Sequence, residues 1–324
     1  MYWYVKYPLI AILVLAAIGI TVLVWRSVRG GAPSDTPPDD PEQVVVMPPE
    51  IPDPPENTDN NRPTTPTVGD NSFRALETQL ARAEEQLRKE SPGSARQLAK
   101  IAMKMDGCVE FDRYWFRAFD IINEANRRFM NSTAPCPEKL RYTVQPGDTL
   151  GKIANQHYTS VDALVRLNGL SKDRAVIHPQ QVVSYLTGTW RIRVNKQHYV
   201  LILYRDNEPY RYYRVSIGRE DRTPAGTFFI KSRIAHPAWT PSGKNIPYGD
   251  PQNVLGTHWL GLTPTGDTDP TLTSYGIHGT WEPESIGHPA SAGCVRMLNE
   301  EVEELFDFIP EPGTCPPVQV LIEE

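Results

Sequence analysis

The chain has 324 residues, 33 Lys and Arg against 39 Asp and Glu, and a net charge of −6. That length leaves room for about two domains or more. The acidic balance argues against nucleic acid as a partner, because phosphate binding needs clustered basic side chains. No two cysteines stand at C-x2-4-C spacing and no H-E-x-x-H occurs, so no metal and no cofactor is expected.

Residues 1–29 contain the one strongly apolar run, Tyr7 to Trp25, with Lys6 before it and Arg26 and Arg29 after it. Its length approaches the roughly 20 residues that cross a bilayer, and Trp3, Tyr4, Tyr7 and Trp25 stand where interfacial aromatics belong. A transmembrane helix is expected. The rival reading is a cleaved signal peptide, for which the run is long and only Arg29–Ala32 offers a small-residue site. Flanking charge is balanced and does not orient the helix.

Residues 30–70 are dense in Pro and acidic residues, with Val44–Met47 as the sole apolar cluster. Such a segment buries too little apolar area to offset chain entropy, and proline keeps it extended. It reads as a disordered linker that either carries the later domains outward or merely fills length.

Residues 71–138 switch to helical periodicity. Phe73, Leu76, Leu80 and Leu87 share one face before Ser91-Pro-Gly93 interrupts, and Ser94–Met105 and Arg113–Met130 read as two more amphipathic helices. A packing or spacer module is the expected role, with a peptide-binding groove as the alternative. Cys108 and Cys136 bracket the last helix, so an oxidising compartment would permit a bridge between them.

Residues 140–187 carry Tyr142-Thr-Val144, Pro146-Gly-Asp-Thr-Leu150, Ile153-Ala154, Leu164, Leu167-Asn168 and Ile177-His-Pro-Gln-Gln-Val182. Asp148 or Thr149 can cap a helix, and Asn168-Gly169 can end a second one. The order resembles a LysM module, which implies two helices on a two-stranded sheet and binding of N-acetylglucosamine-containing glycans through the Gly147–Gly151 and Asn168–Lys172 loops. Gln180 stands where the family often has glycine. A wall-binding module also implies an orientation, with the domains after the anchor facing the periplasm or cell wall and the protein held at the cell membrane by a single span.

Residues 188–324 are mostly β, with strands expected at Trp190–Val194, His198–Tyr204 and Tyr210–Ile217. Further on, His278 and Cys294 lie sixteen residues apart, each beside a glycine. A thiol next to an imidazole that takes its proton becomes a strong nucleophile, and the glycines let backbone approach a substrate. The chemistry is acyl transfer through a thioester. The ordered motifs Thr223-Pro-Ala-Gly226, Trp259-Leu-Gly-Leu262, Tyr275–Thr280 and Ser291–Met297 resemble the L,D-transpeptidase catalytic domain, the YkuD fold.

That resemblance implies a cysteine enzyme acting on peptidoglycan stem peptides. Cys294 would be the nucleophile and His278 the general base, its ring oriented by the backbone carbonyl of Gly279. The N–H groups of Gly293 and Cys294 would form the oxyanion hole, Arg296 would bind a substrate carboxylate or brace the loop, and Ser291 would fix the loop by hydrogen bonding. D-alanine would leave, and a 3-3 cross-link or an attached protein would result. Hydrolysis of stem peptides, or an inactive wall-binding protein, are the alternatives. Many members have histidine where this chain has Ala292; His288 and His258 are candidate substitutes, with a solvated or packing role as the plainer reading. Trp239, Trp259 and Trp281 could line a groove.

The fold class expected is thus multi-domain: a transmembrane helix (1–29), a Pro-rich acidic linker (30–70), a small α-helical region (71–138), a LysM βααβ module (140–187) and a mainly-β YkuD-type domain (188–324). The expected partners are peptidoglycan and the membrane.

Overall fold

The computed structural model describes residues 70–133 and 135–324. The expected membrane span and most of the linker lie outside the described residues. Among the described residues, no helix is long and apolar enough to cross a membrane.

Three helices come first: α1 (Asp70–Arg88), α2 (Pro92–Ala102) and α3 (Arg113–Met130). In α1, Leu76, Leu80 and Ala83 recur at helical spacing and are fully buried. Pro92 opens α2 in the first turn, where its missing N–H costs nothing, so the helix begins two residues before the expected Ser94. Asp112 caps α3 by accepting the Trp115 N–H at 2.7 Å. Arg117 then ties α3 to α1 through Glu84 at 2.6 Å and Glu77 at 2.5 Å.

The βααβ module follows as β1 (Lys139–Thr143), α4 (Leu150–Gln156), α5 (Val161–Leu167) and β2 (Val182–Leu186), with β1 and β2 antiparallel. Thr149 rather than Asp148 caps α4. Asp148 instead accepts the Gln145 N–H and the Tyr142 hydroxyl. Asn168 ends α5, and its side chain then bonds Ser184 in both directions. Val144, Ile153, Ala154, Leu164, Val183 and Tyr185 form the small core.

The remaining strands are β3 (Trp190–Asn195), β4 (Val200–Arg205), β5 (Glu208–Arg214), β6 (Ile217–Gly218), β7 (Gly226–Ala235), β8 (His258–Thr265), β9 (Gly276–His278), β10 (Pro289–Ser291) and β11 (Val295–Arg296). Helix α6 (Asn299–Phe308) and strand β12 (Gln319–Glu323) end the chain. Eight strands form one sheet in the order β11-β9-β8-β7-β12-β3-β4-β5, while β6 and β10 pair separately. The chain alternates faces along β4: Leu201 and Leu203 join the main core with Val302, Leu305 and Phe308 of α6.

Val200, Ile202 and Tyr204 point the other way, into the core of the three helices. The helical region is therefore a packing module, one of the two forms of the expected role, and its apolar face is already covered. Its α3 also shields the sheet edge. Asn123 pairs its side-chain amide with both the N–H and the carbonyl of Tyr212 on β5, at 3.0 and 2.9 Å, and so occupies backbone groups that an edge strand would leave open. The LysM module is fastened on the α6 side: Arg166 meets Asp307 and Arg233 meets Asp162, each at 2.6 Å, and Lys172 meets Glu303. All four cysteines are free thiols, Cys108 and Cys136 included.

Candidate active site

Strands β9 and β11 run parallel, with Val295 opposite Ile277 and Arg296 opposite His278. Side chains two residues apart share a face. Ile277 and Val295 go into the main core with α6, which turns Gly276, His278 and Arg296 toward the opposite face. Cys294, just before β11, comes alongside Gly276. This is the face that the three helices cover at the β4–β5 end; at the β9–β11 end Trp259 covers His278, and Cys294 is half-buried.

His278 is buried, and its Nδ1 stands 2.6 Å from the Gly279 carbonyl oxygen. A carbonyl only accepts, so Nδ1 carries the proton and Nε2 is left as the basic nitrogen. Gly279 owes its position to close packing: a Cβ there would come within 2.2 Å of Asn299 Oδ1, which also accepts the Thr257 N–H at 3.1 Å. Trp259, opposite His278 on β8, stacks on the imidazole with centroids 5.8 Å apart.

Burial pushes the His278 imidazole down to about 4; the Gly279 carbonyl opposes this, Arg296 adds to it, and the Leu255 carbonyl opposes it. Burial pushes the Cys294 thiol up, against the Gly276 backbone amide and the Arg296 charge, which favour thiolate. The resting pair is thus a neutral thiol and a neutral imidazole. Cys294 Sγ faces the Ser274 carbonyl at 3.9 Å, and no hydrogen bond joins it to His278 in the resting geometry.

The loop around the nucleophile is cross-braced. Ser291 Oγ donates to the Cys294 carbonyl at 2.6 Å and accepts the Gly293 N–H at 3.0 Å. The Gly293 amide, one of the two expected oxyanion donors, is thus engaged by Ser291 Oγ in this geometry. Gly293 itself has φ +144°, and a Cβ there would meet the Tyr275 ring at 2.9 Å. Arg296 braces the next turn through Glu282 at 2.9 Å, while its Nε is buried without a partner.

Sequence reasoning missed Thr223 and Asn299. Buried Thr223 Oγ1 accepts the Gly218 N–H at 2.6 Å and donates to the Gly293 carbonyl at 2.8 Å. The Thr223-Pro-Ala-Gly226 motif was the available signal, used for the family resemblance but with no role assigned to Thr223 itself. Nothing near Asn299 in the sequence marked it. Thr223→Val should leave both backbone groups unsatisfied, costing about 1–3 kcal/mol in denaturant unfolding. Acylation of Cys294 should slow by about 10-fold or more as the loop loses its brace.

Other candidates stand apart. His258 lies on the opposite face against Phe306 (4.6 Å), and His288 is exposed on its loop. A cavity of about 360 Å³ lies between His157, Tyr158, Tyr185 and Trp190 on one side and Cys315–Val318 on the other, and it includes neither Cys294 nor His278.

The His278 shift gives a pH test of stability. Between about pH 6.5 and 4 the folded chain binds fewer protons at this ring than the unfolded chain, so stability falls as pH falls through that window and the loss levels off below it. Its full size is about 3 kcal/mol. Urea unfolding at pH 7 and pH 4.5 should show a larger acid loss for the wild type than for His278→Gln, and equal losses would refute the buried neutral ring.

The model of the L,D-transpeptidase catalytic domain, YkuD, matches residues 189–320, and that of the LysM domain matches 142–184. The Bacillus subtilis protein carrying the name L,D-transpeptidase YqjB is 40% identical over 126 residues, 39% of this chain and 69% of that protein. The one named YkuD, from the same organism, is 33% identical over 177 residues, 53% of this chain and 94% of that protein. An L,D-transpeptidase structure from Mycobacterium smegmatis superposes loosely, at TM-score 0.32 and 18% identity over 45% of this chain and 64% of that one. Since these alignments span most of each Bacillus relative and the matched catalytic domain takes in the braced His278 and Cys294 segments, this chain belongs to the L,D-transpeptidase family, with a YkuD catalytic domain preceded by a LysM domain.

Proposed function

We propose that this chain is an L,D-transpeptidase that forms a thioester at Cys294 with the third residue of a peptidoglycan stem peptide. The observation that carries the reading is the His278 Nδ1 contact to the Gly279 carbonyl, which leaves Nε2 basic on the strand face that Cys294 shares. His278 Nε2 takes the Cys294 proton as sulfur attacks the carbonyl, and gives it to the amine of the departing D-alanine. The Cys294 N–H stabilises the oxyanion. An acceptor amine then attacks the thioester, loses its proton to Nε2, and leaves a 3-3 type cross-link. Ser291 and Thr223 position the nucleophile, and Arg296 holds the loop through Glu282.

The LysM module keeps the enzyme on glycan. Its Gly147–Gly151 loop is the better candidate surface, because Asn168 is consumed by Ser184 and Lys172 by Glu303. The apolar run Tyr7–Trp25 serves as the membrane anchor, with the later domains on the wall side.

The test uses the chain from Asp70, because a construction beginning at the LysM module would bare Val200, Ile202 and Tyr204. Incubated with disaccharide-tetrapeptide, it should show an acyl adduct on Cys294 and D-alanine release by mass spectrometry, both absent in Cys294→Ala. Neither adduct nor release with well-matched stems would overturn the proposal.

A further inference from the structure

Residues 236–257, between β7 and β8, form a loop that is rigidly built yet mostly exposed. Its base closes through the His236 N–H to the Thr257 carbonyl at 2.8 Å, and Trp239 and Ile246 exchange backbone bonds at 2.8 and 2.7 Å. Buried Asn253 fills the middle: its Nδ2 donates to the carbonyls of Pro237, Ile246 and Pro247 at 2.9, 3.2 and 3.2 Å, and its Oδ1 accepts the Leu255 N–H at 2.9 Å. So much internal bonding fixes the loop's outer face.

That face presents Tyr248, which leans on His236 at 4.3 Å between centroids and faces Trp281 at 6.2 Å with the ring planes 47° apart. Trp281 is 51% exposed and Tyr248 38%. An indole half in water on a braced support forgoes the burial that usually accounts for its presence. Trp281 lies three residues beyond His278 and next to Glu282, the partner of Arg296, so the ring pair stands beside the His278–Arg296 part of the site.

We propose that Tyr248 and Trp281 form a ledge for the N-acetylated hexosamine that carries the stem peptide. The inference rests on the stem-peptide reading above. A pyranose offers an apolar C–H face that packs flat on an aromatic ring, whereas the stem beyond its first residue is rich in carboxylates and amines that gain little from exposed ring faces. Spacing agrees. Trp281 follows Gly276, the neighbour of Cys294, by five residues, at most about 17 Å of chain. The two stem residues and the lactyl link between the third-residue carbonyl and the sugar span roughly 10–14 Å when extended.

The experiment compares acylation of Cys294 by disaccharide-tetrapeptide and by the sugar-free tetrapeptide. The wild type should favour the sugar-bearing donor by about tenfold, and Trp281→Ala and Tyr248→Phe/Trp281→Ala should bring the ratio of kcat/KM for the two donors toward one. Acylation by a small carbapenem checks that Cys294 still reacts in each variant. Equal use of both donors by the wild type, or an unchanged ratio in the variants, overturns the ledge. A second arm needs no chemistry: in Cys294→Ala, the Trp281 indole N–H resonance, assigned through Trp281→Phe, should shift on adding disaccharide-tetrapeptide and not sugar-free tetrapeptide. A shift without turnover in the wild type would keep the ledge and remove the transpeptidase reading, whereas turnover without a shift would do the reverse.

Discussion

His278→Ala should slow acylation of Cys294 at pH 7 by about 10²–10⁴-fold, the usual share of a positioned general base, and leave a residual rate that climbs with pH. Both halves follow from the electrostatics. Burial holds the imidazole down near 4 and the thiol above its ordinary value, so at neutral pH neither group is charged and the proton must move during attack. Without the ring, reaction waits for thiolate made by solvent, and the rate follows ionisation of a thiol whose burial has raised its pKa. The wild type, by contrast, should stay flat from about pH 5 to 8, because its base is already neutral there. Stopped-flow fluorescence during carbapenem acylation gives both profiles, with Cys294→Ala as the zero. A mutant rate that is low and independent of pH would mean that the ring's absence had moved the nucleophile rather than removed a base. Wild-type activity rising steeply between pH 6 and 7 would mean an imidazole that is not buried as described.

The pair itself was legible in sequence because its signals are local: an imidazole, a thiol, and glycines beside each. So were the amphipathic stripes and the cap of α4, since Thr149 acts within three residues of itself. What sequence withheld was long-range. Thr223 reaches Gly293 across seventy residues, and Asn299 reaches Gly279 from the start of a helix whose pattern concerns only its core face. The partner of the Gly293 amide was hidden in another way: its N–H is adjacent to the nucleophile in sequence, and only the fold of the loop brings Ser291 Oγ onto it. In the helical region the long-range part was the partner. Its apolar stripes announced that they needed burial without saying that part of the cover would be Val200, Ile202 and Tyr204, from a strand that follows the whole LysM module.

That shared core makes Phe119→Ala the substitution with the largest expected effect on stability. Phe119 on α3 is fully buried, edge-on to Trp115 at 4.9 Å and tilted against Tyr212 of β5 at 5.1 Å. Truncating a phenylalanine in such a position costs about 3–5 kcal/mol, the removed transfer energy plus the cavity that remains. The hole would open between the helices and the sheet, because Asn123 and Asn126 of the same helix hold β5 by its backbone at Tyr212 and Tyr210. Loss of packing at Phe119 should thus loosen β5 and β4 together with α3, although Cys294 lies at the opposite end of the sheet. In urea, far-UV circular dichroism and carbapenem acylation should fall together in one transition, shifted to lower denaturant in the variant. A first transition that melts helix while acylation persists would instead make the helical region a separate unit leaning on the enzyme. A shift worth under about 1 kcal/mol would remove it from the stability of the catalytic domain altogether.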